Sequence, residues 1–124
     1  MGGHRRDRGL ENLLDLNGQV FVVDLLGRFV ARFSVNRIPA TPNKPHGIDY
    51  SLTLLGPDGR RIIGYDNAHP IQATKGPSGR STTSQDHRHR YDRVRPYKFV
   101  DAGTLMEGFW KDVRKILEER RSPE

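Results

Sequence analysis

Ile48-Asp49-Tyr50-Ser51-Leu52-Thr53-Leu54-Leu55, then Gly56-Pro57-Asp58-Gly59, then Arg60-Arg61-Ile62-Ile63-Gly64-Tyr65-Asp66 is the stretch that decides the fold. Ile48, Tyr50, Leu52 and Leu54 alternate with polar residues. Period two at this length is a half-buried β-strand, because successive side chains leave opposite faces of a pleated chain. Proline at the second position and glycine at the fourth of Gly56–Gly59 suit a type I turn. Arg60 to Asp66 is then the returning strand, with Ile63 and Tyr65 on one face and Arg60, Ile62, Gly64 and Asp66 on the other. Gly64 leaves space beside Asp66 for a ligand or for backbone, or marks a bulge.

Towards the N-terminus the same period recurs. Phe29, Ala31, Phe33 and Val35 alternate within a strand expected over residues 28–36. A preceding strand at about 19–24 is joined to it through Leu26-Gly27, so the two are expected to form a hairpin. Leu10, Leu13, Leu14 and Leu16 suit a short helical turn ending at Asn17-Gly18. Residues 1–9 are polar and without periodicity, and read as a disordered basic tail. Pro39, Pro42, Pro45 and Gly47 make residues 37–47 a connecting loop, with His46 at its end. Residues 86–91 suit a fifth short strand, and Arg95 to Val100 approaches the last element in extended form. Leu105, Met106, Phe109, Trp110, Val113, Ile116 and Leu117 form an apolar stripe at helical spacing. Asp101 or Thr104 suits its N-cap. The expected architecture is one α+β domain over residues 10–121, with residues 122–124 as a tail. It is a mostly antiparallel sheet of four or five strands with the C-terminal helix packed on one face.

Chemistry-bearing residues concentrate between 64 and 91. Gly64-Tyr65-Asp66-Asn67-Ala68-His69 opens this segment and Asp86-His87-Arg88-His89-Arg90-Tyr91 closes it, so three of the five histidines stand here beside aspartates. Between them, Pro70 to Gln85 has the composition of a surface loop, rich in Gly, Ser and Thr. On a strand, His87 and His89 share a face about 6.5–7 Å apart along the chain, and Arg88 and Arg90 share the other. Paired imidazoles can divide general-base and general-acid work near neutral pH, and arginines can neutralise a phosphate. Two other readings stand beside this one. A His-x-His strand with Asp66 or His69 can hold a metal, and the same histidines can be satisfied structurally by Asp66, Asp86 or backbone. Asn67 is expected to cap loop backbone, and Tyr91 to stack on a base.

Composition narrows the partners. The 124 residues carry a formal net charge of +6. Arg60, Arg61, Lys75, Arg80, Arg88, Arg90, Arg93, Arg95 and Lys98 crowd between 60 and 98 against Asp66, Asp86 and Asp92. That excess attracts nucleic acid or an acidic protein. The absence of cysteine excludes disulfides, thiolate zinc sites and cysteine nucleophiles. No apolar run is long enough to cross a membrane, and nothing after the basic N-terminus resembles a secretory signal. The cytoplasm is the expected compartment. Gly76-Pro77-Ser78-Gly79 does not match a phosphate loop, and no hydroxyl announces a nucleophile. RNA cleavage needs none, since the substrate 2′-hydroxyl can attack its own phosphate.

The sequence resembles the TumE-type toxins of toxin–antitoxin modules. The resemblance rests on Pro45 to Leu54, on Asp58-Gly59-Arg60-Arg61, on Gly64-Tyr65-Asp66-Asn67-Ala68-His69 and on Asp86-His87-Arg88-His89. It continues through Arg95-Pro96-Tyr97-Lys98-Phe99-Val100-Asp101-Ala102 and the Leu105 to Leu117 helix, and covers about residues 11–120. It implies a small toxin acting on RNA and held inactive by an antitoxin encoded beside it. The expected site assigns acid and base roles to His87 and His89, with Asp66 orienting an imidazole. Arg88, Arg90 and Arg93 hold phosphate, His69 supplements them and no cofactor is needed. The partners expected are RNA and an antitoxin with an acidic segment. The rival functions are a non-enzymatic nucleic-acid or antitoxin-binding module, and a metal-dependent phosphodiesterase using His69, His87, His89 and Asp66.

Overall fold

The computed structural model describes residues 8–42, 44–67, 71–72, 83–84 and 86–120. In chain order the elements are α1 (Arg8–Asp15), β1 (Val20–Val22), β2 (Val30–Arg37), β3 (Ile48–Leu55) and β4 (Arg61–Asp66). They continue with β5 (Ile71–Gln72), β6 (Thr83–Ser84), β7 (His87–Arg90), β8 (Arg93–Pro96) and α2 (Ala102–Glu119). Six strands form one antiparallel sheet in the order β1-β2-β3-β4-β7-β8, a meander into which the small β5–β6 ladder is inserted. That ladder lies where the sequence suggests only a polar loop over 70–85.

The sixth strand is β8. Arg93-Val94-Arg95-Pro96 carries no apolar alternation because it is an edge strand exposed along its whole length. Pro96 is tolerated at its end, where no central ladder needs its missing donor. The β3–β4 turn closes with Gly59 N–H donating to Gly56 O at 2.9 Å, and Gly59 sits at φ 79°, a conformation glycine adopts without steric cost. Asn67 does not cap a loop. Its backbone N–H donates to Tyr50 O, its Oδ1 accepts from Tyr50 N and its Nδ2 donates to Ile48 O. Fully buried, it pins the end of β4 to the start of β3.

One sheet face is covered by both helices. Leu105, Phe109, Val113 and Ile116 of α2 are buried, as are Phe33, Val35, Leu52, Leu54, Ile63 and Tyr65 of the sheet and Leu13 of α1. The N-cap of α2 is Asp101, whose Oδ1 accepts from Thr104 N at 2.7 Å. That hydrogen bond holds its carboxyl below the usual range. Helix α1 begins two residues before the expected domain start at 10. It approaches α2 so closely that a Cβ on Gly9 would lie 2.6 Å from Gly103 N. The other face carries Val20, Arg32, Ser34, Ser51, Thr53, Gly64, Asp66, His87 and His89, as the antiparallel registers dictate.

Phe109 is fully buried, with ring centroids 5.4 Å from Phe33 and 5.3 Å from Trp110. Trp110 is only partly buried, against Phe21 and Phe33. Phe109→Ala is therefore expected to cost about 3–5 kcal/mol in denaturant unfolding, as a cavity-forming core truncation does. Trp110→Ala should cost clearly less, and an equal or larger loss there would mean that the helix sits with its other edge on the sheet.

Candidate active site

The β4–β7 ladder sets Asp66 opposite His87 and Gly64 opposite His89. Side chains from both strands project to the face away from the helices. The Asp66 carboxylate lies between the two imidazoles, with Oδ1 3.1 Å from His87 Nδ1 and Oδ2 2.8 Å from His89 Nε2. Both rings are buried, 3% and 8% exposed, which is low for residues on the face without helices. The ring centroids are 5.9 Å apart and nearly perpendicular.

A fourth residue completes the cluster. Leu54 pairs with Ile63 but Leu55 pairs with Arg61, so Ile62 is an extra residue in β4. Strict alternation would send Arg61 to the helix face with Ile63 and Tyr65. The bulge turns it to the histidine face, which is what bulges near sites commonly do. Its side chain crosses Gly64, where a Cβ would meet Arg61 Cδ at 2.9 Å and His89 Cδ2 at 3.4 Å. Arg61 Nη2 then lies 3.1 Å from His89 Nδ1. The space left by Gly64 is thus filled by a guanidinium stem.

This contact assigns protons. A guanidinium only donates, so His89 Nδ1 accepts and its proton sits on Nε2, donating to Asp66. His87 Nδ1–H donates to the other oxygen of the same carboxylate, which in the neutral ring leaves the lone pair on Nε2. Burial above all, and then the Arg61 cation, push the His89 imidazole below its ordinary value, while Asp66 pulls the other way. Asp66, His87 and His89 also present three donor atoms within 4.8 Å of one another, a spacing a metal ion can use. Binding through His89 Nε2 would require that nitrogen to lose its proton while Arg61 still donates to Nδ1, so the present arrangement favours proton sharing over metal ligation.

The other expected site residues are placed elsewhere. Arg88 and Arg90 point to the helix face. Arg88 forms a bidentate pair with Asp112, at 3.1 and 2.9 Å, and Tyr65 OH donates to the same carboxylate. Burial first, and that hydrogen bond to Asp112 second, push the Tyr65 phenol well up. Arg90 grips both oxygens of Glu119 at 2.9 and 2.8 Å. Arg93 and Tyr91 belong to the β7–β8 hairpin and its turn, and His69 lies outside the described residues. His46 is no plain loop residue. It is mostly buried against Phe99, with centroids 4.2 Å apart, and its Nε2 lies 3.3 Å from Asp86 Oδ2, which also accepts from Tyr50 OH. Tyr50 packs on the helix face, whereas Asp66 projects from the other.

A sheet backed by helices on one face, with a histidine–carboxylate cluster on the other, defines a small α+β protein. The chain matches the family described as Toxin TumE over residues 11–117, and it belongs to that family. A toxin of this kind has a cognate antitoxin as partner. No curated protein matches the chain. No solved structure matches it. Among the described residues no helix is long and apolar enough to cross a membrane.

Because the folded chain favours neutral His89, the stability it contributes is complete above about pH 6.5 and declines as pH falls below that value. Thermal unfolding followed from about pH 7.5 down to about pH 5 should show a decline that is shallower in His89→Asn than in the parent. Arg61→Met should also flatten it, by raising the proton affinity of the ring. Parallel curves for all three proteins would contradict the burial and charge assigned to His89.

Proposed function

We propose that this toxin cleaves RNA at the cluster of Asp66, His87, His89 and Arg61, using the substrate's own 2′-hydroxyl as nucleophile. The observation that carries this reading is the shared carboxylate, which orients two imidazoles in defined tautomers beside one cation. His87 Nε2 takes the 2′-hydroxyl proton as the 2′-oxygen attacks phosphorus, with Asp66 steadying the imidazolium that forms. The phosphate draws the Arg61 guanidinium towards its charge and away from His89 Nδ1. Freed of that cation, His89 gains proton affinity, takes a proton from solvent on Nδ1 and gives it to the departing 5′-oxygen, and His87 afterwards returns its proton to solvent. The products are a 2′,3′-cyclic phosphate and a 5′-hydroxyl.

The same face offers room for a strand of substrate. One strand away from Asp66 and Gly64, a cleft of about 400 Å³ is lined by Gln19, Arg32, Ser34, Ser51 and Thr53 among others. Hydroxyls and an arginine suit ribose and phosphate. The antitoxin is proposed to cover this face with an acidic segment, so that their association slows as salt rises. The reading puts toxin and RNA together in the cytoplasm. A second reading is metal-dependent phosphodiester hydrolysis, favoured by the donor spacing of Asp66, His87 and His89.

Purified protein is expected to cut RNA in EDTA and to leave DNA intact, with a bell-shaped pH dependence. His87→Ala or His89→Ala should lower cleavage by roughly 10²- to 10⁴-fold while RNA binding survives. Asp66→Asn should lower it through loss of ring orientation. Gly64→Ala should do so by shifting the Arg61 stem, so that the guanidinium no longer meets the phosphate in the place the mechanism needs. Activity lost in EDTA and restored by a divalent ion would favour the metal. RNA binding without cleavage in either condition would leave a binding module.

A further inference from the structure

The β7–β8 hairpin carries a row of arginines on the opposite face of the sheet. Arg88, Arg90, Arg93 and Arg95 line a recess of about 250 Å³. The register makes them direct cross-strand pairs, Arg88 with Arg95 and Arg90 with Arg93. Like charges directly opposite each other destabilise a strand pair, so folding alone does not favour four arginines in this arrangement. Helix α2 neutralises two of them, through Asp112 on Arg88 and Glu119 on Arg90. Arg93 and Arg95 are exposed and have no carboxylate within ion-pair distance among the described residues; Asp92, in the adjoining turn, pairs with neither. Two of the four cations in the recess thus have no carboxylate partner among the described residues.

The turn adds an aromatic. Tyr91 adopts φ 53°, the sole non-glycine residue at positive φ among those described, and its side chain is 44% exposed. A bulky residue there is strained where asparagine or glycine would sit without cost. Tyr91 lines an adjoining recess with Arg90, Asp92 and Arg93. Guanidinium groups in a row beside an exposed ring are the elements with which proteins hold single-stranded nucleic acid, phosphate by phosphate and base on ring.

We propose that Arg93, Arg95 and Tyr91 form a binding site for single-stranded RNA backbone on the face opposite the histidines. β8 is the sheet edge, and Val94 and Pro96 on its other face stand beside His89 and His87. A strand held by Arg93 and Arg95 therefore reaches the histidines by turning over one exposed edge strand, a path of a few nucleotides. The proposal rests on RNA as the substrate, but its test does not depend on cleavage.

The probe is a fluorescent single-stranded 2′-O-methyl oligouridylate of about a dozen nucleotides, within the reach of one small domain and resistant to attack by a 2′-hydroxyl. Binding to the full chain is read by anisotropy across a salt series. Arg93→Gln with Arg95→Gln should weaken binding at least about tenfold and reduce the slope of log affinity against log salt by roughly 0.7 per arginine removed. Tyr91→Ala should weaken binding by about tenfold with the slope unchanged. Unaltered melting temperatures would show that these exposed changes leave the fold intact. Parent-like affinity and slope in the double variant would overturn the site. A double variant that loses binding to polyglutamate while keeping oligouridylate would overturn it in favour of an acidic peptide. Absence of RNA cleavage by the parent, with these binding changes present, would refute the catalytic reading alone.

Discussion

Asp66 faces His87 across the β4–β7 ladder, and the arrangement of both sheet faces follows from that register. A slip of one residue would send His87 and His89 to the helices and Arg88 and Arg90 away from them. The histidines would lose their carboxylate, and Asp112 and Glu119 would lose their arginines. The slip is opposed from both sides. Ile63 and Tyr65 must stay in the core, and Arg88 must reach the carboxylate that Tyr65 also holds. Core packing and site geometry are therefore set by the same pairing.

The two faces use charge differently. On the helix face, Asp112 fastens α2 to the sheet through Arg88 and Tyr65, and Arg88 also lies over the Tyr65 ring at 5.7 Å. Removing that carboxylate would strand an arginine and a buried phenol, at a cost of about 1–3 kcal/mol for the unsatisfied groups. On the histidine face, one carboxylate serves two imidazoles and one cation faces one of them. That cation is held by a contact a phosphate can compete for, whereas Arg88 and Arg90 on the helix face are tied to the fold through Asp112 and Glu119. The division explains how a strand alternating histidine and arginine can serve both structure and chemistry.

Much of this was legible in the residues because period two is so strict. Ile48–Leu55 appears as a strand with the alternation read from its sequence, and the stripe from Leu105 to Ile116 packs as expected. The closeness of Asp66, His87 and His89 followed once both segments were taken as strands. What was missed has local causes. Arg61 was hidden because a bulge breaks the alternation that a sequence pattern assumes; Gly64 and the adjacent apolar pair Ile62-Ile63 hinted at a bulge but not at which side chain it would turn. β8 was hidden because an edge strand with both faces exposed needs no apolar residues. Arg88 and Arg90 lie on the face opposite the histidines, as the strand period implies, but no local pattern shows that Asp112 and Glu119 of α2 hold them there. His46 looked like a loop residue because nothing local shows that Phe99, far along the chain, closes over it.

The central claim is that Asp66 and Arg61 together fix where the protons sit on His87 and His89. Long-range nitrogen–proton NMR correlation of the imidazole rings at neutral pH reads this directly. The account predicts a protonated Nε2 and bare Nδ1 on His89, and a protonated Nδ1 on His87. A His89 ring protonated on Nδ1 with Nε2 bare, or one carrying both protons at neutral pH, would contradict it.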